Sequence, residues 1–132
     1  MILVDTNVIV DVLKADPVWL PWSSQQLMLA RRAGPLCINY VVYAELAVHE
    51  EASHEMDALL DDIGIVMKES TRASARLAAT AFRRYRQRGG SRTGVLPDFF
   101  IGAQALAEGC PLLTRDATRY RTYFPALELI CP

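Results

Sequence analysis

Residues Met1–Asn7 read MILVDTN, a short apolar run that ends at Val4 and gives way at once to Asp5, Thr6 and Asn7. An apolar run that stops abruptly on an acid is what a short strand buried on both faces of a parallel sheet requires. Asn7 can then cap a helix through about Lys14, with Val8, Val12 and Leu13 on its inner side. The opening segment therefore reads as a strand, an acid at the strand's carboxyl end, and a helix.

The same alternation recurs along the chain. Pro21 opens a helix that runs to Gly34-Pro35 and carries Leu27, Met28 and Ala30 as its apolar set. Leu36–Ile38 is a second strand feeding a helix from about Val41, where Val41, Ala44 and Val48 share one side and Glu45 lies one position round from Ala44. A helix over His54–Asp62 turns Met56, Leu59, Leu60 and Ile63 inward and stops at Gly64, before a third strand at Ile65–Met67. Ser70 or Thr71 caps a long helix to about Arg88 with Leu77, Ala78, Ala81 and Tyr85 on one face, and Pro97 suits the first turn of another that runs to Glu108. Pro111–Leu113 is a fourth strand ending in Thr114-Arg115-Asp116, and a last short strand falls within Leu127–Ile130. Short apolar strands alternating with helices predict one α/β domain over residues 1–132, with a mainly parallel sheet of four to five strands covered on both faces.

In such sheets the ligand site lies beyond the carboxyl ends of the strands. Asp5 and Asp116 fall at predicted strand ends, Glu45 sits about two turns past another, and Asp98 opens a helix that precedes a strand. Taken singly, Asp5 reads equally as a helix cap, Asp98 as a first-turn partner of the helix dipole and Asp116 as a turn former. Glu45 on an apolar helix face is harder to explain that way, because a buried carboxylate must be paired or ligated. Carboxylates brought to one place repel each other unless protons or cations neutralise them. Oxygen donors suit hard ions such as Mg²⁺ and Mn²⁺, and the lack of a Cys/His cluster argues against zinc.

The chain has 132 residues, enough for a real core without disulfide or metal staples. Its 14 Lys+Arg and 15 Asp+Glu nearly cancel, but the average hides a split. Glu45–Met67 holds seven acids and no Lys or Arg, and Lys68–Arg92 holds eight bases against Glu69 alone. A basic segment of this kind faces a polyanion or water with comparable ease; Arg83, Arg86 and Arg92 are the candidate phosphate contacts within it, joined by Arg115 for its place beside Asp116. His49, His54 and Asp11 read as surface residues, and Trp19, Trp22, Tyr40, Tyr43, Phe99, Phe100 and Phe124 as core or oligomer interface. Cys37, Cys110 and Cys131 are an odd number without metal spacing, and no secretory leader is visible, so a reduced cytoplasm is expected. No apolar run approaches the roughly 20 residues that span a bilayer.

MILVDTN, then YAEL, LPDFFIGAQAL and PLLTRD followed by RYRTYFP, in this order, resemble the PIN-domain ribonucleases and, within them, the VapC-type toxins of bacterial VapBC toxin-antitoxin systems. The resemblance implies a three-layer α/β/α fold and an acidic quartet, Asp5, Glu45, Asp98 and Asp116, that binds Mg²⁺ or Mn²⁺ and hydrolyses RNA. It also implies supporting roles for Asn7 and Thr114, a VapB-type antitoxin partner, a homodimer, and a bacterial cytoplasmic setting. Gln104 departs from the pattern, standing where many relatives carry histidine. The competing expectation, from another class, is a metal-tuned RNA-binding or protein-binding module with little or no cleavage.

Overall fold

Apolar residues, chiefly Leu, Ile and Val, make five short strands: β1 (Ile2–Val4), β2 (Leu36–Ile38), β3 (Ile65–Met67), β4 (Leu112–Leu113) and β5 (Leu129–Ile130). They form a single sheet in the order β3-β2-β1-β4-β5, and every pairing is parallel. In the computed structural model, which describes residues 1–49, 53–91 and 96–132, the strands alternate with α1 (Thr6–Leu13), α2 (Leu20–Ala33), α3 (Tyr40–His49), α4 (Ser53–Ile63), α5 (Arg72–Gln87), α6 (Leu96–Glu108) and α7 (Thr118–Tyr123). The expected α/β fold is the one observed.

β1 is the central strand, with Leu3 in register with Cys37 on one side and Leu112 on the other. From β1 the chain steps outward to β2 and β3, then returns past β1 to β4 and β5. α1 packs against α2 and α3, and α5 and α6 against each other and α7, the two groups that right-handed crossovers would set on opposite faces of the sheet. The direction of stepping reverses beside β1, and that crevice is where open α/β sheets bind ligands. Leu3, Val4, Leu36, Cys37, Leu112 and Leu113 are fully buried, and burial of each Leu or Val side chain among them contributes about 1.5–3 kcal/mol.

Several local expectations are corrected. The cap of α1 is Asp5, whose side chain accepts from Thr6 N, so the helix starts one residue before Asn7. The inner stripe of α2 is Ser23, Leu27 and Ala30, and Met28, one position off it, is 59% exposed. In α3 the inner pair is Val42 and Leu46, while Val48 is 85% exposed. The reason lies at the cap: Asn39 Oδ1 accepts from Val42 N at 3.0 Å, and Val42 and Leu46, four apart, share one face. In α5 small Ser74, Ala78 and Ala81 face inward and Leu77 looks outward, which lets α5 lie close along α6. The helix α7 was not expected at all.

Gln104, in the position where a histidine was anticipated, is fully buried. Its amide donates to the Glu69 carbonyl at 3.0 Å and accepts from Ser70 Oγ at 2.8 Å, fastening the β3–α5 loop. Cys37, Cys110 and Cys131 are free thiols. Among the described residues no helix is long and apolar enough to cross a membrane.

Candidate active site

Asp5 leaves the carboxyl end of β1 and is only 4% exposed. Its Oδ1 accepts from Thr6 N at 2.8 Å. Its Oδ2 accepts from three side chains: Thr114 Oγ1 at 2.7 Å, Asn7 Nδ2 at 3.0 Å and Tyr120 OH at 3.1 Å. Burial pushes this carboxyl from an ordinary 3.8 up to about 6, with the charge of Asp98 adding to the rise and the hydrogen bonds opposing it. The carboxylate thus meets four donors, one on Oδ1 and three on Oδ2, none of which carries a positive charge.

Thr114 follows β4, the neighbour of β1, and is fully buried. Besides donating to Asp5, its hydroxyl accepts from Asn7 Nδ2 at 3.2 Å and from Asp116 N at 3.1 Å. Asn7 Oδ1 accepts in turn from Arg115 N at 3.2 Å. Asn7 and Thr114 therefore tie the end of β1 to the loop that carries Asp116.

Glu45 reaches the same edge from α3, half-buried, where its Oε1 accepts from Thr6 Oγ1 at 2.7 Å. Asp98 sits in the first turn of α6, half-buried and bound by Arg119 Nη1 from α7. Burial raises the Asp98 carboxyl above its ordinary value; Arg119 opposes the rise and Asp116 adds to it. Asp116 is exposed and accepts from Thr118 N at 3.3 Å. Tyr120, buried between them, has its phenol pushed well up by burial first and then by the charges of Asp5, Asp98 and Glu45. All four predicted acids, from four separated segments, therefore meet at the crevice beside β1. Among the described residues, however, no three His, Cys, Asp or Glu side chains are already arranged around a single ion position.

A family model described as PIN domain matches residues 2–125. The chain belongs to the PIN domain family. As a PIN domain it superposes on VapBC2 from Rickettsia felis, solved bound to a promoter DNA fragment, with a TM-score of 0.77 at 19% identity over 100% of this chain and 99% of that one. VapBC-1 from nontypeable Haemophilus influenzae gives 0.73 at 17% identity, covering 99% and 98% of the two chains. DNA-bound VapBC from Salmonella typhimurium gives 0.72 at 16% identity, covering 98% and 96%. At such identities the likeness is one of fold. No curated protein matches the sequence.

The arginines of this PIN domain divide by what holds them. Arg115 turns inward: its Nε lies 3.0 Å from Asp11 Oδ2, angled away from a hydrogen bond, and its guanidinium stands 5.3 Å from the Trp19 ring centre. Asp11, expected on the surface, is 1% exposed and also accepts from Ser23 Oγ at 2.7 Å; a buried acid needs such partners. Arg83 and Arg86 are exposed on α5 beside Phe82 and Gln87, around a shallow hollow of about 450 Å³. Arg92 lies outside the described residues. Sequence reading missed Thr6, Arg119 and Tyr120. For Tyr120 a signal existed: a tyrosine in a short segment returning to the core must place its hydroxyl on a partner.

Proposed function

We propose that this chain is a Mg²⁺- or Mn²⁺-dependent endoribonuclease and the toxin of a type II toxin-antitoxin pair. The observation that carries this reading is the convergence of Asp5, Glu45, Asp98 and Asp116 on the sheet's switch point, where burial first and neighbouring acids second raise the carboxyls of Asp5 and Asp98. The donor set fits a hard divalent cation: every candidate ligand is oxygen, and Asp5, buried among uncharged donors with Asp98 nearby, is a carboxylate whose charge such an ion would relieve. Asp5, Asp98 and Asp116 would hold the ion, and Glu45 would help hold it or orient the attacking water. Bound there, a hard ion supplies an acidified water and charge neutralisation at a phosphodiester. Asn7 and Thr114 keep Asp5 and the Asp116 loop in one frame, and Arg83, Arg86 and Arg92 draw the polyanion in.

Solved relatives of this fold carry the VapBC name, and a VapB-type antitoxin is the partner we assign by that likeness. An apolar groove of about 440 Å³ lined by Val12, Leu27, Met28 and Ile63, with Arg31 and Asp62 at its sides, supports a protein partner or a second copy in a homodimer. The test of the enzyme is cleavage of cellular RNA with Mg²⁺ or with EDTA, by the parent and by Asp5→Ala and Asp98→Ala. Each variant is expected to lose more than about 100-fold, since even residues that only orient ligands are worth 10–100-fold. Undiminished cleavage by either sinks the assignment.

One contact favours the second reading, a binding module without cleavage: Arg119 already neutralises Asp98. RNA bound intact with a salt-dependent affinity, and no products even with Mn²⁺, would select it.

A further inference from the structure

Arg119 and Tyr120 are consecutive residues of α7 that serve different acids. Tyr120 is 2% exposed and donates to Asp5, and its ring, with that of Phe124, packs against the bare backbone of Gly102 in α6. Arg119 binds Asp98 with side chains that are 36% and 30% exposed. The helix is thus held by its buried residues, while the ion pair at its edge is open to water and exchanges without moving the core.

The other arginine beside the acids has no such freedom. Arg115 is held by fully buried Asp11 and stacked on Trp19. Arg119 is therefore the arginine at this edge whose partner can be taken by something else. Its partner is also one of the acids expected to hold a divalent ion, and a guanidinium on Asp98 Oδ2 and an ion on the same oxygen exclude each other.

We propose that Arg119 is the resident counter-cation of Asp98 in the ion-free protein, and that it gives up Asp98 when a divalent ion binds and turns its guanidinium to an RNA phosphate. This rests on the metal-dependent reading above. A guanidinium suits both stations, since its planar fork of donors matches carboxylate and phosphate oxygens alike. α7 stays in place through the exchange, anchored by Tyr120 and Phe124, so the released side chain remains at the mouth of the site. The same side chain that balances the charge of Asp98 without an ion thus becomes a substrate contact with one.

The test measures Mn²⁺ binding to the RNA-free protein by electron paramagnetic resonance, for the parent, Arg119→Gln, Arg119→Lys and Arg121→Gln. Arg119→Gln is expected to bind Mn²⁺ about 2- to 5-fold more tightly, the fold-change matching a partly exposed ion pair. Arg119→Lys should fall between it and the parent, and keeps the test open should the glutamine variant fold poorly. Arg121→Gln removes a charge from the same helix away from the acids and should leave Mn²⁺ affinity unchanged. With Mn²⁺ present, binding of a mixed-sequence 2′-O-methyl RNA should weaken in Arg119→Gln, and its logarithmic salt slope should shrink by about 1. Equal or weaker Mn²⁺ binding by Arg119→Gln, or an unchanged salt slope, overturns the proposal. If Asp98→Asn weakens Mn²⁺ binding while Arg119→Gln leaves it alone, the metal reading stands and the role of Arg119 falls. If neither the parent nor Arg119→Gln binds Mn²⁺, both fall together.

Discussion

Tyr120 donates its hydroxyl to Asp5 Oδ2 at 3.1 Å from 115 residues away in sequence. Both groups are almost wholly out of water. A buried hydrogen bond to a charged acceptor contributes roughly 1.5–3 kcal/mol, and one to its neutral form about half that. Tyr120→Phe should therefore cost roughly 2 kcal/mol above about pH 7, with Asp5 ionised, and clearly less near about pH 4.5. Urea denaturation at both pH values in EDTA measures the difference. An equal cost at the two would mean that the phenol serves packing alone.

The raised carboxyl of Asp5 also fixes the sign of a wider pH dependence. Its value is about 6 in the fold against an ordinary 3.8, so the folded state holds the proton more tightly. The contribution of that proton is fully present below 3.8 and is lost as pH rises through about 6, an effect of about 3 kcal/mol. Without divalent ions, the melting temperature should fall as the pH is raised from about 5 to 7.5, and Mg²⁺ should restore more of it at the upper end. Asp5→Ala, whatever its own stability, should flatten this slope. A variant profile parallel to the parent's would place the titration elsewhere.

Thr114→Val keeps the shape and removes a hydroxyl that donates to Asp5 and accepts from Asn7 and the Asp116 backbone. With three partners left short in a fully buried position, the expected loss is about 2–3 kcal/mol. Thr114→Ser, which retains the oxygen, should recover most of it. Chemical denaturation of the two variants decides whether the hydroxyl or the methyl matters.

How far the site could be read beforehand depends on distance in sequence. Asp5 and Asp116 were legible because each ends an apolar run, and short runs of that kind become strands whose carboxyl ends share one edge. Asn7 and Thr114 flank those acids and came with them. Arg119 was not legible and Tyr120 was legible only as a tyrosine in need of a partner, since the six residues of α7 carry too little periodicity to announce a helix, and the partners of both lie far back in the chain. Asp11 was misjudged for the same reason: its burial is created by Ser23 from α2 and Arg115 from the opposite end of the sequence. The α3 face was misjudged locally, because Asn39 sets the phase of that helix from outside the apolar pattern.

That inward turn of Arg115 gives a further expectation. Arg115→Ala leaves the carboxylate of Asp11 buried without its cation, a change worth about 3–5 kcal/mol when a buried pair is broken. The partial exposure of the Arg115 side chain, 31%, places the loss at or below the lower end of that range. Trp19 fluorescence should shift as the guanidinium leaves its ring. Full stability together with weakened RNA binding would instead make Arg115 a phosphate contact.

Gly102→Ala would bring a new carbon to 2.7 Å from Phe124 and 3.0 Å from Tyr120. Overpacking of this kind costs about 1–3 kcal/mol. Because one of the two rings it crowds, Tyr120, donates to Asp5, cleavage should fall more than stability predicts. Activity that simply tracks the folded fraction would show that α7 can shift without consequence for the acids.

The place of β1 in the strand order bears on how such a protein can be silenced. Its amides are bonded on both flanks, from Ile2 to the Pro35 carbonyl and from Leu3 and Asp5 to those of Pro111 and Leu113. A middle strand opens only when the whole sheet does, whereas rims fray at little expense. The acid that begins the site is thus rooted in the last part of the molecule to come apart, and its amide hydrogens should be among the slowest to exchange. Thermal breathing offers no off-state here. On the metal-dependent reading proposed above, a cell that carries this chain folded would keep it quiet by covering its acids or by withholding the divalent ion.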